Sequence, residues 1–197
     1  MNLRLFGELM KQGTPTQHSG EWKIFLEICE SYLENHGIKN PIVVELGLFD
    51  GKQKEFYKQL LGAEHVGISR NKGRRCIPDI RGSTHDPRTL EILKKKLNRR
   101  SINILFIDAG HSYESVKKDF EIYSPLCDDI IVLHDIESCR YGGLTRRRAE
   151  VWKFWDELRL EAYKGMGKHK DSLFLSIFQH MPARRKIQMG IGMIIKK

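Results

Sequence analysis

The feature that most constrains this chain is an alternation of short, uninterrupted apolar runs with stretches of helical periodicity. The runs are Ile42 to Leu46, His65 to Ile68, Ile102 to Ile107 and Ile130 to Leu133, with a further short strand read around Cys76 to Ile80. Apolar runs this short, bounded by turn residues, are the signature of strands buried on both faces. Between them, residues 53–61 carry a helical pattern. Asp86 followed by Pro87 signals a helix that continues through Leu90, Leu93 and Leu97, and Ser112 caps one bearing Val116, Phe120 and Tyr123, which Pro125 ends. Strands alternating with helices predict a mainly parallel sheet covered on both faces. The last two apolar runs, Leu173 to Phe178 and Gly190 to Ile195, have no helix between them and therefore predict a closing antiparallel pair. The fold class that follows is α/β, a Rossmann-like doubly wound sheet with an antiparallel last strand.

The flanking regions read less clearly. Residues 1–18 hold Gly13, Thr14, Pro15 and Thr16 with little periodicity, which suggests an N-terminal arm before a single domain over 19–197. Ser19 is placed to cap a helix whose apolar positions Trp22, Phe25, Leu26, Cys29, Tyr32 and Leu33 share one face, ending near Gly37. After a Gly142, Gly143 loop, a helix of roughly residues 145 to 163 is expected to bury Val151, Trp152, Trp155 and Leu158. At 197 residues the chain is the size of one domain. No segment approaches the roughly 20 apolar residues of a spanning helix, and the four cysteines form no C-x-x-C pair. A cytoplasmic protein with reduced thiols and no membrane contact is expected. The net charge of +9 is unevenly spread: residues 1–138 carry 20 basic and 20 acidic side chains, residues 139–197 carry 14 and 5. That surplus suggests an anionic partner.

In a parallel sheet, ligands bind beyond the carboxyl ends of the strands. The first run leads into VVELGLFDG, where Glu45, Gly47 and Gly51 stand in E-x-G-x-x-x-G spacing; glycines at such a turn let the backbone approach a ligand. It is not G-x-G-x-x-G, since Phe49 and Lys52 occupy the later glycine positions. The fourth and fifth runs end in FIDAGHSYESVKKDF and IIVLHDIE, which place Asp108, His111, His134 and Asp135 at neighbouring strand ends. These residue types serve as acids, bases or metal ligands, although an aspartate that caps a turn or a satisfied histidine is the plain structural alternative for each.

The segments PIVVELGLFDG, LLGAEHVGIS, IRGSTHDPRTLEILKK, ILFIDAGHSYESVKKDFEIYSPL, IIVLHDI, VWKFWDELR and GIGMIIK resemble the class I S-adenosylmethionine (SAM)-dependent methyltransferases, specifically the group with cephalosporin-hydroxylase-like proteins and macrolide-sugar O-methyltransferases. The resemblance runs over about residues 20–197 and implies a seven-stranded sheet. It implies a SAM-cradling loop at Glu45, Gly47, Leu48, Phe49 and Gly51. Ser69 and Arg70 fall where a strand-end acid holds the ribose, and Ser83 and Thr84 fall in the segment that lines the adenine. Asp108 borders the cofactor, and Asp108 and Asp135 match carboxylates that bind magnesium in metal-dependent relatives. His111 matches a histidine placed to act as base.

Several positions depart from that pattern. Ser69 and Ser83 replace acids, Gly110 stands where many members have a second acid, Ile136 replaces a further oxygen ligand, and Lys52 replaces a glycine. Glu137 would join a metal set only through a shifted turn. These losses weigh against magnesium, which wants several oxygen ligands, and they weaken the grip on SAM without abolishing it. The expected function is methyl transfer to an oxygen or nitrogen nucleophile of a small or anionic acceptor, with Tyr141 to Thr145 as a candidate lid. The alternatives are a noncatalytic or altered-ligand member of the fold, a site for a 2'-phosphorylated nucleotide at Ser69, Arg70, Lys72, Arg74 and Arg75, and a nucleic-acid-directed enzyme using Arg146, Arg147, Arg148, Arg184, Arg185 and Lys186.

Overall fold

The computed structural model describes residues 1–13, 15, 17–70, 77–140, 149–179 and 189–197. Its elements are α1 (Leu3–Gln12), α2 (Ser19–Asn35), β1 (Ile42–Leu46), α3 (Gln53–Leu61), β2 (Glu64–Ser69), β3 (Ile80–Arg81), α4 (Pro87–Leu97), β4 (Ile102–Ile107), α5 (Tyr113–Tyr123), β5 (Cys127–His134), α6 (Val151–Tyr163), β6 (Leu173–Ile177) and β7 (Ile191–Ile195). The strands form one seven-stranded sheet in the order β3-β2-β1-β4-β5-β7-β6. Strands β1 to β5 are parallel to one another, and β7 runs antiparallel to both β5 and β6. The order reverses at β1, where β2 lies on one side and β4 on the other, and this opens a crevice at the carboxyl edge.

Successive strand residues face opposite sides, and each side has its own core. Ile42, Val44 and Leu46 of β1 pack with Leu93 and Leu97 of α4, Phe120 of α5 and Trp155 of α6. Val43 joins Ile104, Phe106 and Val132 under Trp22 and Phe25 of α2 and Phe56 and Tyr57 of α3. Each fully buried aliphatic or phenylalanine side chain contributes about 1.5–3 kcal/mol. At the amino edge, Asn103 accepts from the Ile42 amide at 2.7 Å and donates to Asp129 at 2.8 Å, while Tyr32 binds the other oxygen of Asp129 at 3.0 Å. Among the described residues no helix is long and apolar enough to cross a membrane.

The bounds of β1, α3, α4 and β4 coincide with those read from the sequence, and the caps explain why. Asp86 accepts from the Arg88 amide at 2.9 Å with Pro87 in the first turn, and Ser112 accepts from the Ser115 amide at 3.2 Å. Elsewhere details differ, and β5 in particular runs longer than read, over Cys127–His134. The arm contains α1, capped by the Asn2 side chain and packed through Leu5, Phe6, Leu9 and Met10 onto the core below α2 and α3. His18, not Ser19, occupies the cap position of α2, and Ser19 is already helical. The third strand is only Ile80–Arg81; Cys76 lies outside the described residues. Helix α6 starts at Val151, with 149 and 150 non-helical and 145–148 outside the described residues. Within α6, Phe154 takes the buried place expected of Trp152, which is half-exposed and stacks against Arg140 and Lys153. The candidate lid at 141–145, the Gly142, Gly143 loop, Lys72, Arg74, Arg75 and the arginine and lysine residues at 146–148 and 184–186 also lie outside the described residues.

Candidate active site

A cavity of about 740 Å³ opens along the carboxyl edge of the sheet, over the exits of β1, β2, β3, β4 and β5. Gly47, with φ +94°, makes it possible. A Cβ there would lie 2.2 Å from the Asp108 carbonyl oxygen, so only glycine lets the β1 exit pass the β4 exit. The two exits are tied to the sheet by the Gly47 amide on Ile68 O at 2.9 Å and the Asp108 amide on Leu46 O at 2.8 Å. Beyond Gly47, Leu48 folds onto Gly67, where a Cβ would meet its Cδ1 at 2.3 Å, and Phe49 stands 74% exposed at the cavity mouth.

At the β4 and β5 end, Asp108, His111 and Asp135 each offer a ligand atom, all within 4.8 Å of one another. His111 Nδ1 lies 3.3 Å from Asp135 Oδ2. The buried His134 approaches Asp108 Oδ1 with its Nδ1 at 3.1 Å and Asp135 Oδ1 at 3.7 Å. Burial alone would push its imidazole down, but the charges of Asp108 and Asp135 outweigh it and hold the group up at about 9. The two carboxylates thus favour the charged form of His134. Asp135 sits at φ +65°, a left-handed conformation that aspartate tolerates better than most side chains, and is braced by the Ser138 hydroxyl, which donates to its Oδ1 at 2.6 Å. Cys139, at φ +61°, completes the rim with Ala149 and Met189.

At the opposite end, Ser69 and Arg70 leave β2, and Gly82, Ser83, Thr84 and His85 leave β3. The Gly82 amide donates to Ser69 O at 3.1 Å, and Tyr123 donates to Thr84 O at 2.9 Å, so α5 fixes the loop from below. His85 Nε2 faces Asp119 Oδ1 of α5 at 3.1 Å. Asp119 is fully buried, and burial pushes its carboxyl up, opposed by Thr84, His85 and Arg70.

The cavity thus gathers Gly47, Leu48, Phe49, Ser69, Arg70, Ser83, Thr84, Asp108, His111 and Asp135 from the sequence-based set. Glu45 and Gly51 do not reach its wall. Glu45 shares the strand parity of Val43, so its side chain enters the α2–α3 layer, where it meets His65 Nε2 at 2.8 Å. Gly51, at φ +70°, shapes the turn before α3. His85 and Asp119 were not picked out from the sequence, nor were Ser115, Ser138, Cys139, Ala149 and Met189. For Asp119 the signal was present: it lies on the same helical face as Val116, Phe120 and Tyr123, where a charge has no place unless it is paired.

As to the departures, Gly110 abuts Ser115, whose Oγ would lie 1.9 Å from a Cβ at 110, so the space of an acid is filled. Glu137 is turned away from the cluster: its side chain pairs with Arg140 at 3.0 Å and its amide donates to Met189 O at 2.8 Å. Two carboxylates nevertheless match the way magnesium is commonly bound, through one or two carboxylates with retained waters, while a histidine nitrogen suits a softer divalent ion. The cluster therefore fits a divalent cation.

Comparison with known proteins places this arrangement. Residues 44–136 match a family model described as a methyltransferase domain. No curated protein matches the sequence. Among solved structures, the MycE methyltransferase of the mycinamycin biosynthetic pathway, in complex with Mg, SAH and mycinamycin VI, superposes with a TM-score of 0.58 at 14% identity, over 97% of this chain and 53% of that one. The chain spans about half the length of MycE. The O-methyltransferase TomG from Streptomyces achromogenes, in complex with SAM, gives 0.56 at 12% identity over 99% and 89%. Magnesium protoporphyrin IX methyltransferase (ChlM) from Synechocystis PCC 6803, with bound SAH, gives 0.51 at 11% over 96% and 94%. The chain shares its fold with these methyltransferases, and residues 44–136 are similar to the methyltransferase-domain model.

Proposed function

We propose that the chain transfers the methyl group of SAM to an oxygen or nitrogen nucleophile of a small or anionic acceptor. The observation that carries this reading is the Asp108, His111 and Asp135 cluster at one end of a cavity roomy enough for a nucleoside-sized cofactor beside an acceptor. Gly47, Ser69 and Ser83 of the cavity wall would hold a SAM-type cofactor, which when bound would supply an electrophilic methyl group. His111 removes the acceptor proton, and Asp135, 3.3 Å from its Nδ1, orients the ring and stabilises the imidazolium that forms. His134 pairs with Asp108 at 3.1 Å and fixes the direction of its carboxylate. Asp108 and Asp135 would hold a divalent cation, which when bound would lower the proton affinity of an acceptor hydroxyl. The remaining contribution is positioning, since an in-line methyl transfer needs nucleophile, methyl and sulfur aligned.

The test is calorimetric titration with SAM and its demethylated product SAH, with and without magnesium, followed by transfer of a labelled methyl group to a panel of hydroxyl and amine acceptors. Roughly micromolar binding and label transfer that fails in His111→Ala are expected. No binding up to millimolar cofactor would overturn the reading in favour of a noncatalytic or altered-ligand member of the fold.

A further inference from the structure

Strand β6 ends the sheet on the side away from β3, and among the described residues it pairs only with β7. Its outer edge therefore carries a row of amides and carbonyls with no strand beside them. Such edges are usually guarded by a charge, a proline or a bulge within the strand. Here the segment Ser172 to Gln179 reads SLFLSIFQ, without a charge or a proline, and its pairing with β7 shows no register shift. The flanks are apolar as well. On the α6 side lies a groove of about 660 Å³ lined by Leu160, Tyr163, Ser172 and Phe174. Tyr163 is 89% exposed, and Leu160 and Leu173 are each about half exposed. Past the other end of β6, Phe178 is 51% exposed. Phe174 packs against Trp155, and the Ser176 hydroxyl accepts from the Trp155 Nε1 at 3.1 Å, so these residues face α6. Strand parity gives Phe178 the same face.

We propose that β6 pairs antiparallel with β6 of a second copy of this chain, about a two-fold axis through Leu175, so that Phe178 of each copy fills the groove at Leu160 and Tyr163 of the other. A two-fold axis normal to the sheet keeps each face on its own side, so the pairing joins residues of equal parity. About Leu175 it sets Leu173 opposite Ile177 and Phe174 opposite Ser176 of the other copy. One step further out, Phe178 of the other copy meets Ser172, which lines the groove. Knob and hole thus belong to the same surface, as an isologous interface requires. Charge points to the same occupant. A chain of net charge +9 repels its own copy except where the charge cancels. Over this edge the strand is neutral, and the groove sets Asp156 beside Arg159 and Lys170. The area is also sufficient: Leu160, Tyr163, Leu173 and Phe178 alone offer roughly 500 Å² of the ~800 Å² that each partner of a stable complex buries, and the strand edge adds to it. The two sheets then join into one, with the two cavities opening in opposite directions. This inference is independent of the cofactor reading.

The experiment is analytical sedimentation of the full chain over a concentration series, for the native protein, for Phe178→Glu, for Tyr163→Lys and for the two substitutions combined. Thermal unfolding monitors folding of each variant. The native protein is expected to sediment with the mass of two chains at roughly 10–50 µM. Each single variant should raise the dissociation constant by at least about tenfold, and the combined variant, which sets a carboxylate against an ammonium across the axis, should recover part of the loss. Under mild oxidation Leu175→Cys should form a covalent dimer, because a residue on the axis meets its own copy within disulfide reach, whereas Leu173→Cys should not. A native chain that stays monomeric throughout would overturn the proposal. So would a dimer indifferent to both Phe178→Glu and Tyr163→Lys, or one that cross-links at Leu173→Cys rather than Leu175→Cys. A monomer that instead takes up an extended apolar peptide along β6 would assign the edge to a different partner and overturn it equally.

Discussion

At the β4–β5 end of the cavity, two carboxylates stand on the wall beside two imidazoles, Asp108 and Asp135 with His111 and His134. At the β2–β3 end the wall offers hydroxyls, the Arg70 guanidinium and one imidazole, with the Asp119 carboxylate buried behind it. Both ends lie at the carboxyl edge of the same parallel sheet, yet one presents its acids and the other withholds them. The contrast is in where the remaining carboxylates stand: on the wall at one end, and behind it at the other.

This division can be broken most directly at His111. His111→Ala should lower methyl transfer by about 10²- to 10⁴-fold while SAH affinity, read by calorimetry, stays nearly unchanged; a parallel collapse of affinity would mean that the two ends do not act separately. Next in size is Gly47→Ala, at the join between them. Its Cβ would press on the Asp108 carbonyl at 2.2 Å in a backbone conformation that disfavours a side chain, so a loss of roughly 3 kcal/mol is expected in urea unfolding. Ser69→Asp sharpens the comparison from the other side. Returning a carboxylate to the β2 exit should tighten SAH binding roughly tenfold, the worth of a charged hydrogen bond, and an unchanged affinity would show that the ribose hydroxyls do not face residue 69.

The smallest expected effect is at Glu45, which the sequence places in the cofactor loop and the structure turns toward His65. Glu45→Gln should leave SAH affinity unchanged and act on stability alone. Burial raises the Glu45 carboxyl above its ordinary 4.5, against the pull of His65. A group raised in the folded state contributes stability that is fully present below its unfolded value and lost as pH rises through the folded one. Denaturation midpoints of the native protein should therefore fall upward from about pH 4.5 relative to the variant, which has no proton to lose.

Why Asp108, Asp135 and the glycine turn could be read from the chain while His85 and Asp119 were passed over has a physical basis. The former follow long apolar runs, so their place at strand ends is dictated by one-dimensional order. His85 and Asp119 are brought together by α5 crossing the β3 exit, a contact between residues far apart in sequence that no local pattern encodes. Strand parity explains the opposite failure: Glu45 lies one residue short of the strand end, and the pleat sends it into the helical layer. Likewise α1 hid behind Gly13 and Pro15, although Asn2 and the spacing of Leu5, Leu9 and Met10 form a capped amphipathic turn. The lone serine at 19 looked like a cap because serine is a good one, but the helix already includes it.

Gly110 carries a consequence of a different sort. With Ser115 Cβ 2.7 Å from where a side chain at 110 would begin, the contact cannot be relieved by rotating the serine hydroxyl alone. A glutamate or aspartate at 110 would have no room until residue 115 became glycine, and glycine there would weaken the first turn of α5. The route back to a three-acid cluster therefore passes through an intermediate worse than either end point, so single substitutions will not recover it and a screen for stronger metal binding must change both positions at once.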